Sequence, residues 1–316
     1  MNISYHLKFI APLAVGLSFF PVEAQEKPNI IFIFADDMGY GDVSGLNPDA
    51  RTRTPAIDKL IGEGITFTEA HASASVCTPS RYGLLTGRYA FRSEKGAKGV
   101  SGFDKPVIEP ERETLASVLK KAGYTTACIG KWHLGLGWQT KDEKEPRMDA
   151  KTGYSNVDFN KKLTSGPNNF GFDYSFIHPA SLDIPPYVFI RNHEVIDPDV
   201  ILTTDYYPAR LDTTIYAWDK KHTDDLAVYW EKCVWWRQGE MSRSFRVEEC
   251  HPTIVKEGVA FIDNHATADV ETPFFLYIPL TGPHTPWMPT EQFKGKSSVG
   301  HRSEEHTSEL QSLSHL

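Results

Sequence analysis

The chain of 316 residues can bury one large core or two modest ones, and its 40% hydrophobic and 23% charged residues are ordinary for a soluble globular protein. A formal net charge of -8 argues against a nucleic-acid partner, which a basic surface would meet. It does not exclude an anionic small substrate, because a few local cations can reverse the field inside a cleft.

At the N-terminus, Lys8 precedes the apolar run Phe9 to Phe20, and Val22-Glu23-Ala24 offers small residues before Gln25. The run is too short to span a bilayer and reads as an export signal over residues 1–24, which sends the mature chain to the periplasm or the exterior. No cysteine precedes Cys77, so no lipid or other membrane anchor is expected at the processed end. The unbroken apolar run Asn29 to Ala35 predicts a strand buried on both faces, as in a parallel sheet covered by helices. Thr54 as N-cap with Pro55 at the first helical position predicts a helix carrying Ile57, Leu60 and Ile61. Pro79 suits the first turn of a second helix ending near Gly87, and Thr114 caps a third that stops at Gly123. Tyr124 to Ile129 returns as a strand. A later helix is predicted from Thr253 through Ile262, followed by the strand Phe274 to Ile278. Strands alternating with helices give an α/β fold with a largely parallel sheet.

The stretch from Gln139 to Cys250 is irregular and rich in proline and aromatics, including Tyr187, Trp230, Trp235 and Trp236. Such excursions supply binding walls or solvated insertions, and the aromatic residues suit either sugar faces or the core. Cys128 sits in an apolar strand as a small hydrophobe, while Cys233 and Cys250 could close a short disulfide loop. From His301 the composition changes, and Arg302 to Ser312 resembles the in-frame translation of a sequencing adapter. Residues 301–316 are therefore read as a non-native tail and set outside the fold.

Three strand ends carry chemistry. Asp36-Asp37 follow the first strand, Lys131 and His133 the second, and Gly282-Pro283-His284-Thr285-Pro286 the last. In open α/β sheets the ligand crevice lies beyond the carboxyl ends of strands. Paired carboxylates supply hard oxygen ligands suited to Ca²⁺ or Mg²⁺. Residue 77 stands at a helix N-terminus, where free N–H groups favour an anion and lower a thiol pKa, so thiol catalysis is one reading.

Cys77-Thr78-Pro79-Ser80-Arg81, continuing through Tyr82-Gly83-Leu84-Leu85-Thr86-Gly87, and the later block Gly123 to His133 resemble the two signatures of the type I sulfatases. The resemblance covers about Lys27 to Gly300 and implies an alkaline-phosphatase-like α/β fold, with a partial catalytic domain over residues 25–300. It implies that a maturation enzyme oxidises Cys77 to formylglycine, whose hydrate attacks sulfur. The remaining hydroxyl then collapses the hemiester and expels sulfate. Carried over, Asp36, Asp37 and the modified Cys77 are metal ligands for Ca²⁺ or Mg²⁺, and Arg81 orients the modified side chain. Lys131 binds the sulfate region, His133 is the base for the collapsing hydroxyl, and His284 contacts sulfate or the leaving oxygen. The segment Ala180-Ser181-Leu182-Asp183 resembles one in sulfatases acting on galacto-configured 6-sulfated sugars, which makes Asp183 a substrate-binding residue. The substrate class implied is a sulfated saccharide or an aryl sulfate.

The sequence also departs from the family. Its second ligand pair, Asp-Asn before Gly, and a further lysine are expected downstream of His284 and do not occur there. Asp263-Asn264 precedes the last strand and lacks the glycine. The smaller C-terminal domain of the family is missing too, so this polypeptide alone is expected to be inactive. The alternatives are a phosphomonoester or phosphonate hydrolase on the same fold and a non-catalytic carbohydrate-binding homologue.

Overall fold

The computed structural model describes residues 27–95, 98–207, 237–268 and 271–293. The export signal, Cys233, the three tryptophans 230, 235 and 236 and the tail all lie outside them. The elements, in chain order, are β1 (Ile30–Phe34), α1 (Pro55–Glu63), α2 (Cys77–Thr86), α3 (Leu115–Lys121), β2 (Thr125–Lys131), β3 (Tyr174–His178), β4 (Ile190–Arg191), β5 (Glu194–Val195), β6 (Val200–Leu202), β7 (Glu240–Ser242), α4 (Val247–Ala268) and β8 (Phe274–Pro279). Short 3₁₀ turns link several of them.

A six-stranded sheet has the order β1-β8-β2-β3-β4-β5, and β6 pairs with β7 separately. The first three pairings are parallel, and β4 and β5 return antiparallel as a small hairpin. Residues along β8 alternate between two apolar layers. Phe275 and Tyr277 join Cys128, Trp132, Phe172 and Tyr82 on one face, while Phe274, Leu276 and Ile278 join Ala127, Ile129 and Ile254 on the other. This is the two-faced burial that continuous apolar strands demand. No helix among the described residues is long and apolar enough to cross a membrane.

Three local readings change. β1 is an outer strand paired only with β8 among the described residues, so Ile31 is partly exposed instead of buried on both sides. The last helix runs from Val247 to Ala268 with Pro252 inside it, past the first turn, so the helix continues through a proline that forgoes the hydrogen bond to the Glu248 carbonyl. Thr54 precedes α1 but donates its hydroxyl to Asp58 and does not cap the helix, whereas Thr114 does cap α3 by accepting from the Ser117 N–H at 3.0 Å.

Gly130 fixes the spacing of the central strands. Its φ is 138°, and a Cβ there would lie 2.1 Å from the Pro279 carbonyl oxygen of β8. Only glycine lets the two backbones approach this closely immediately before Lys131. Because β1, β8, β2 and β3 run in one direction, the segments after all four leave the sheet at the same edge. That edge is where the candidate residues meet.

Candidate active site

α2 is set by its ends. Val76 enters in an extended conformation, Pro79 fits the first turn, and Gly87 closes the helix with φ 63° and its N–H on the Gly83 carbonyl. Thr78 is fully buried and donates to the His133 carbonyl at 3.0 Å, tying the first turn of the helix to the loop after β2. Cys77 is thereby presented at the first helical position, facing the strand ends.

Arg81, one turn further along α2, is buried at 1% exposure. Its Nη1 donates to the Lys131 carbonyl at 2.8 Å and its Nη2 to Asp36 Oδ2 at 3.0 Å. Lys131 is fully buried at the end of β2; its Nζ also donates to Asp36 Oδ2, and to Ser181 Oγ at 3.1 Å. Burial alone would raise the Asp36 carboxyl, but the charges of Lys131 and Arg81 hold it far below the usual carboxylate range. Asp37 projects more openly, with a side chain 57% exposed, and faces His284 Nε2 at 3.9 Å.

The two histidines differ in orientation. His133 Nε2 lies 2.9 Å from the Val100 carbonyl, which can only accept. That nitrogen therefore carries the ring hydrogen, and Nδ1 is left as a buried acceptor beside Cys77. Burial lowers the His133 pKa, reinforced by the Lys131 charge against an opposing contribution from Cys77. His284 instead points Nδ1 at the Thr285 carbonyl at 2.7 Å, with Ser181 Oγ at 3.2 Å. Burial would lower its pKa, but Cys77 and Asp36 raise it. The Cys77 thiol itself, which burial alone would raise, is brought down to about 5 by His133 and His284 and then by Lys131.

Four non-glycine residues have positive φ among the described residues, and two of them, Asp37 at 65° and His133 at 53°, belong to this cluster. Held conformations of this kind cost about 1–3 kcal/mol each and concentrate at functional sites.

All eight residues singled out in the sequence stand at this edge of the sheet. Cys77, His133, Asp183 and His284 line one cavity of about 710 Å³, while Asp36, Arg81 and Lys131 lie buried beneath it and Asp37 sits beside His284. Asp183 is nearly buried, its Oδ1 has no hydrogen-bond partner, and it lies 3.9 Å from His284 Nδ1. Asp263 and Asn264 are exposed on α4, away from this edge. Tyr187 is a core residue at 2% exposure, not a sugar platform.

As cation ligands, Asp36 and Asp37 have the right donor chemistry, two anionic oxygens for a hard ion. Among the described residues, no group of three or more His, Cys, Asp or Glu side chains stands close enough to hold a metal. The donors fit part of a coordination shell and do not complete it.

Sequence reasoning gave Ser181 no role of its own, although its hydroxyl bridges Lys131 and His284. Thr78 and the Val100 carbonyl were missed as well. A serine beside a recognised aspartate was the one available signal; a backbone carbonyl leaves none.

A family model described as Sulfatase matches residues 28–314. An N-acetylgalactosamine-6-O-sulfatase of Bacteroides thetaiotaomicron is 35% identical over 291 residues, covering 89% of this chain and 53% of that protein. Human arylsulfatase D is 28% identical over 305 residues, covering 87% of this chain and 47% of that protein. A solved structure described with the metabolism of multiple glycosaminoglycans by Bacteroides thetaiotaomicron superposes with TM-score 0.71 at 30% identity, over 92% of this chain and 58% of that one. The chain thus spans about half the length of the curated relatives it matches.

Proposed function

The chain belongs to the sulfatase family and has its α/β fold, and from that premise we propose that it supplies the catalytic centre of an exported hydrolase releasing sulfate from a sulfated saccharide. The observation that carries the reading is the convergence of Cys77, His133 and His284 on one cavity above the buried Asp36–Lys131–Arg81 cluster.

Residue 77 as formylglycine, installed by a maturation enzyme, would supply a hydrated aldehyde as nucleophile. Asp36, Asp37 and that side chain would hold a Ca²⁺ or Mg²⁺ ion, which would supply charge neutralisation at the sulfate oxygens. This chain's own residues do the rest. Arg81 locks Asp36 and the end of β2 in place from below. Lys131 holds its buried ammonium beneath the cavity, steadied by Ser181. His133, with Nε2 fixed on Val100, holds an acceptor nitrogen ready to take a proton from residue 77. His284 holds its ring through Nδ1, which leaves Nε2 to contact sulfate or the departing oxygen. Asp183, which lines the cavity, would offer its carboxylate to a sugar hydroxyl.

The saccharide as substrate is supported by the relative that acts on N-acetylgalactosamine-6-sulfate and by Asp183. Paired rates on an aryl sulfate and the matching aryl phosphate, with full-length enzyme and with Asp37→Asn, test the reaction class. Sulfate release lost in Asp37→Asn together with bound calcium supports it. Faster phosphate release, or an unaffected variant, overturns it. One further reading has an observation in its favour: Cys77 stands at the start of a helix in a cavity it shares with His133 and His284, which lower its thiol pKa and suit it to act as a nucleophile unmodified.

A further inference from the structure

We propose that Arg147 and Arg237 form a second anion subsite, which takes a carboxylate or a second sulfate carried by the glycan beside the scissile sulfate ester. The inference rests on the sulfatase reading and deepens it, because it specifies a substrate with two negative groups.

Both arginines line the cavity that holds Cys77, His133 and His284. They reach it from separate places in the chain, Arg147 from the irregular stretch before β3 and Arg237 from the approach to β7. At about 710 Å³ the cavity is in the range that encloses a whole small ligand, so a sulfate group fills only part of it. The deep cations do not serve the outer wall, since Lys131 and Arg81 are buried and engaged with Asp36.

Each arginine is held in place from behind. Arg147 Nη2 pairs with Asp142 Oδ2 at 2.8 Å, and Asp142 is itself held by Asn156 Nδ2 at 2.7 Å. The Arg147 N–H donates to Asn156 Oδ1 at 2.9 Å, and the Asn156 N–H returns to the Arg147 carbonyl at 3.1 Å. Arg147 lines the cavity while Asp142 does not, so its counter-ion stands outside the space a ligand would fill; Arg147 Nη1 also lies 3.4 Å from the Glu145 carbonyl. Arg237 is anchored through its N–H to the Asp183 carbonyl at 3.0 Å and through Nη1 to Asp183 Oδ2 at 3.1 Å. Tyr187 fixes it further by donating its hydroxyl to the Arg237 carbonyl at 2.7 Å.

The side chains remain 56% and 46% exposed. Ion pairs this exposed add little to stability, so fold maintenance does not account for the arrangement. Preorganised guanidinium forks do suit a second anion, because their planar donors match both carboxylate and sulfate oxygens.

The test compares three substrates in full-length, formylglycine-bearing enzyme: a sulfated monosaccharide, the same sugar linked to a uronate, and the same sugar with a second sulfate. The wild type should prefer at least one doubly charged substrate in kcat/KM, and the preferred arm identifies the anion. In Arg147→Ala that preference ratio should fall about ten- to a hundredfold, the worth of a charged hydrogen bond. Arg147→Lys should recover part of it, and thermal melts should show both variants folded. No preference in the wild type, or a preference intact in both Arg147→Ala and Arg237→Lys, overturns the subsite. If the wild type releases sulfate from none of the three, the sulfatase reading fails instead. Calorimetric affinities of the same sugars then decide the subsite independently.

Discussion

Lys131 and Asp36 meet in a buried ion pair across 95 residues of sequence, one at the end of β2 and the other just past β1. Neither side chain can be satisfied alone, since both are shielded from water and Arg81 shares the same carboxylate oxygen. Breaking a buried pair by removing one partner costs about 3–5 kcal/mol, because the other charge is left uncompensated. Asp36→Leu, which leaves the buried Lys131 and Arg81 charges uncompensated, should therefore lower stability by that order in denaturant melts. Arg88→Met, which breaks the half-exposed pair with Glu109, should cost under about 1 kcal/mol.

Gly130→Ala tests the close approach of β2 and β8. Its φ of 138° and the 2.1 Å clash with the Pro279 carbonyl leave a methyl group no room. The strands must separate, and the position of Lys131 shifts with them. A loss of more than about 3 kcal/mol in chemical denaturation is expected, with activity falling further than stability alone explains.

Glu240 gives a pH dependence whose sign is fixed. Burial pushes its carboxyl above the usual glutamate range, although Ser155 donates both its N–H and its hydroxyl to it. The folded chain binds this proton more tightly than the unfolded chain does. Its contribution to stability is thus greatest below the ordinary value of 4.5 and declines as pH rises above it. Glu240→Gln keeps an acceptor for Ser155 and removes the titration. Melting temperatures measured from pH 4 to 8 should fall less steeply for Glu240→Gln than for the wild type.

His133→Ala removes the acceptor nitrogen facing residue 77. If that nitrogen acts after the first attack, full-length enzyme should give a burst of released alcohol followed by slow turnover. Rapid-quench kinetics with no burst, and a uniformly slow first turnover, would assign His133 to binding or to the first step.

Much of this was legible before any coordinates, for physical reasons. β8 and β2 are continuous apolar runs flanked by Gly123 and by charged or proline-rich ends, so their existence and parallel burial could be read directly. Cys77, Arg81, Lys131 and His133 stood out because short motifs tie them to a helix start or a strand end. β1 could not be placed at the outer edge, since an apolar strand reads the same at any position in the sheet. The full length of α4 was hidden by Pro252, which pattern reasoning treats as a break, although here the helix continues on both sides of it. Arg147 and Arg237 escaped notice for another reason. Each is an ordinary charged residue in an irregular stretch, and only the fold reveals that both face the cavity above Cys77.

The most direct measurement is intact-peptide mass spectrometry of the segment carrying residue 77, from full-length protein made together with a formylglycine-generating enzyme. The account predicts the mass of the aldehyde in place of the thiol, with sulfate release rising in proportion to the converted fraction. Full sulfate release from protein whose Cys77 remains entirely a thiol would contradict it.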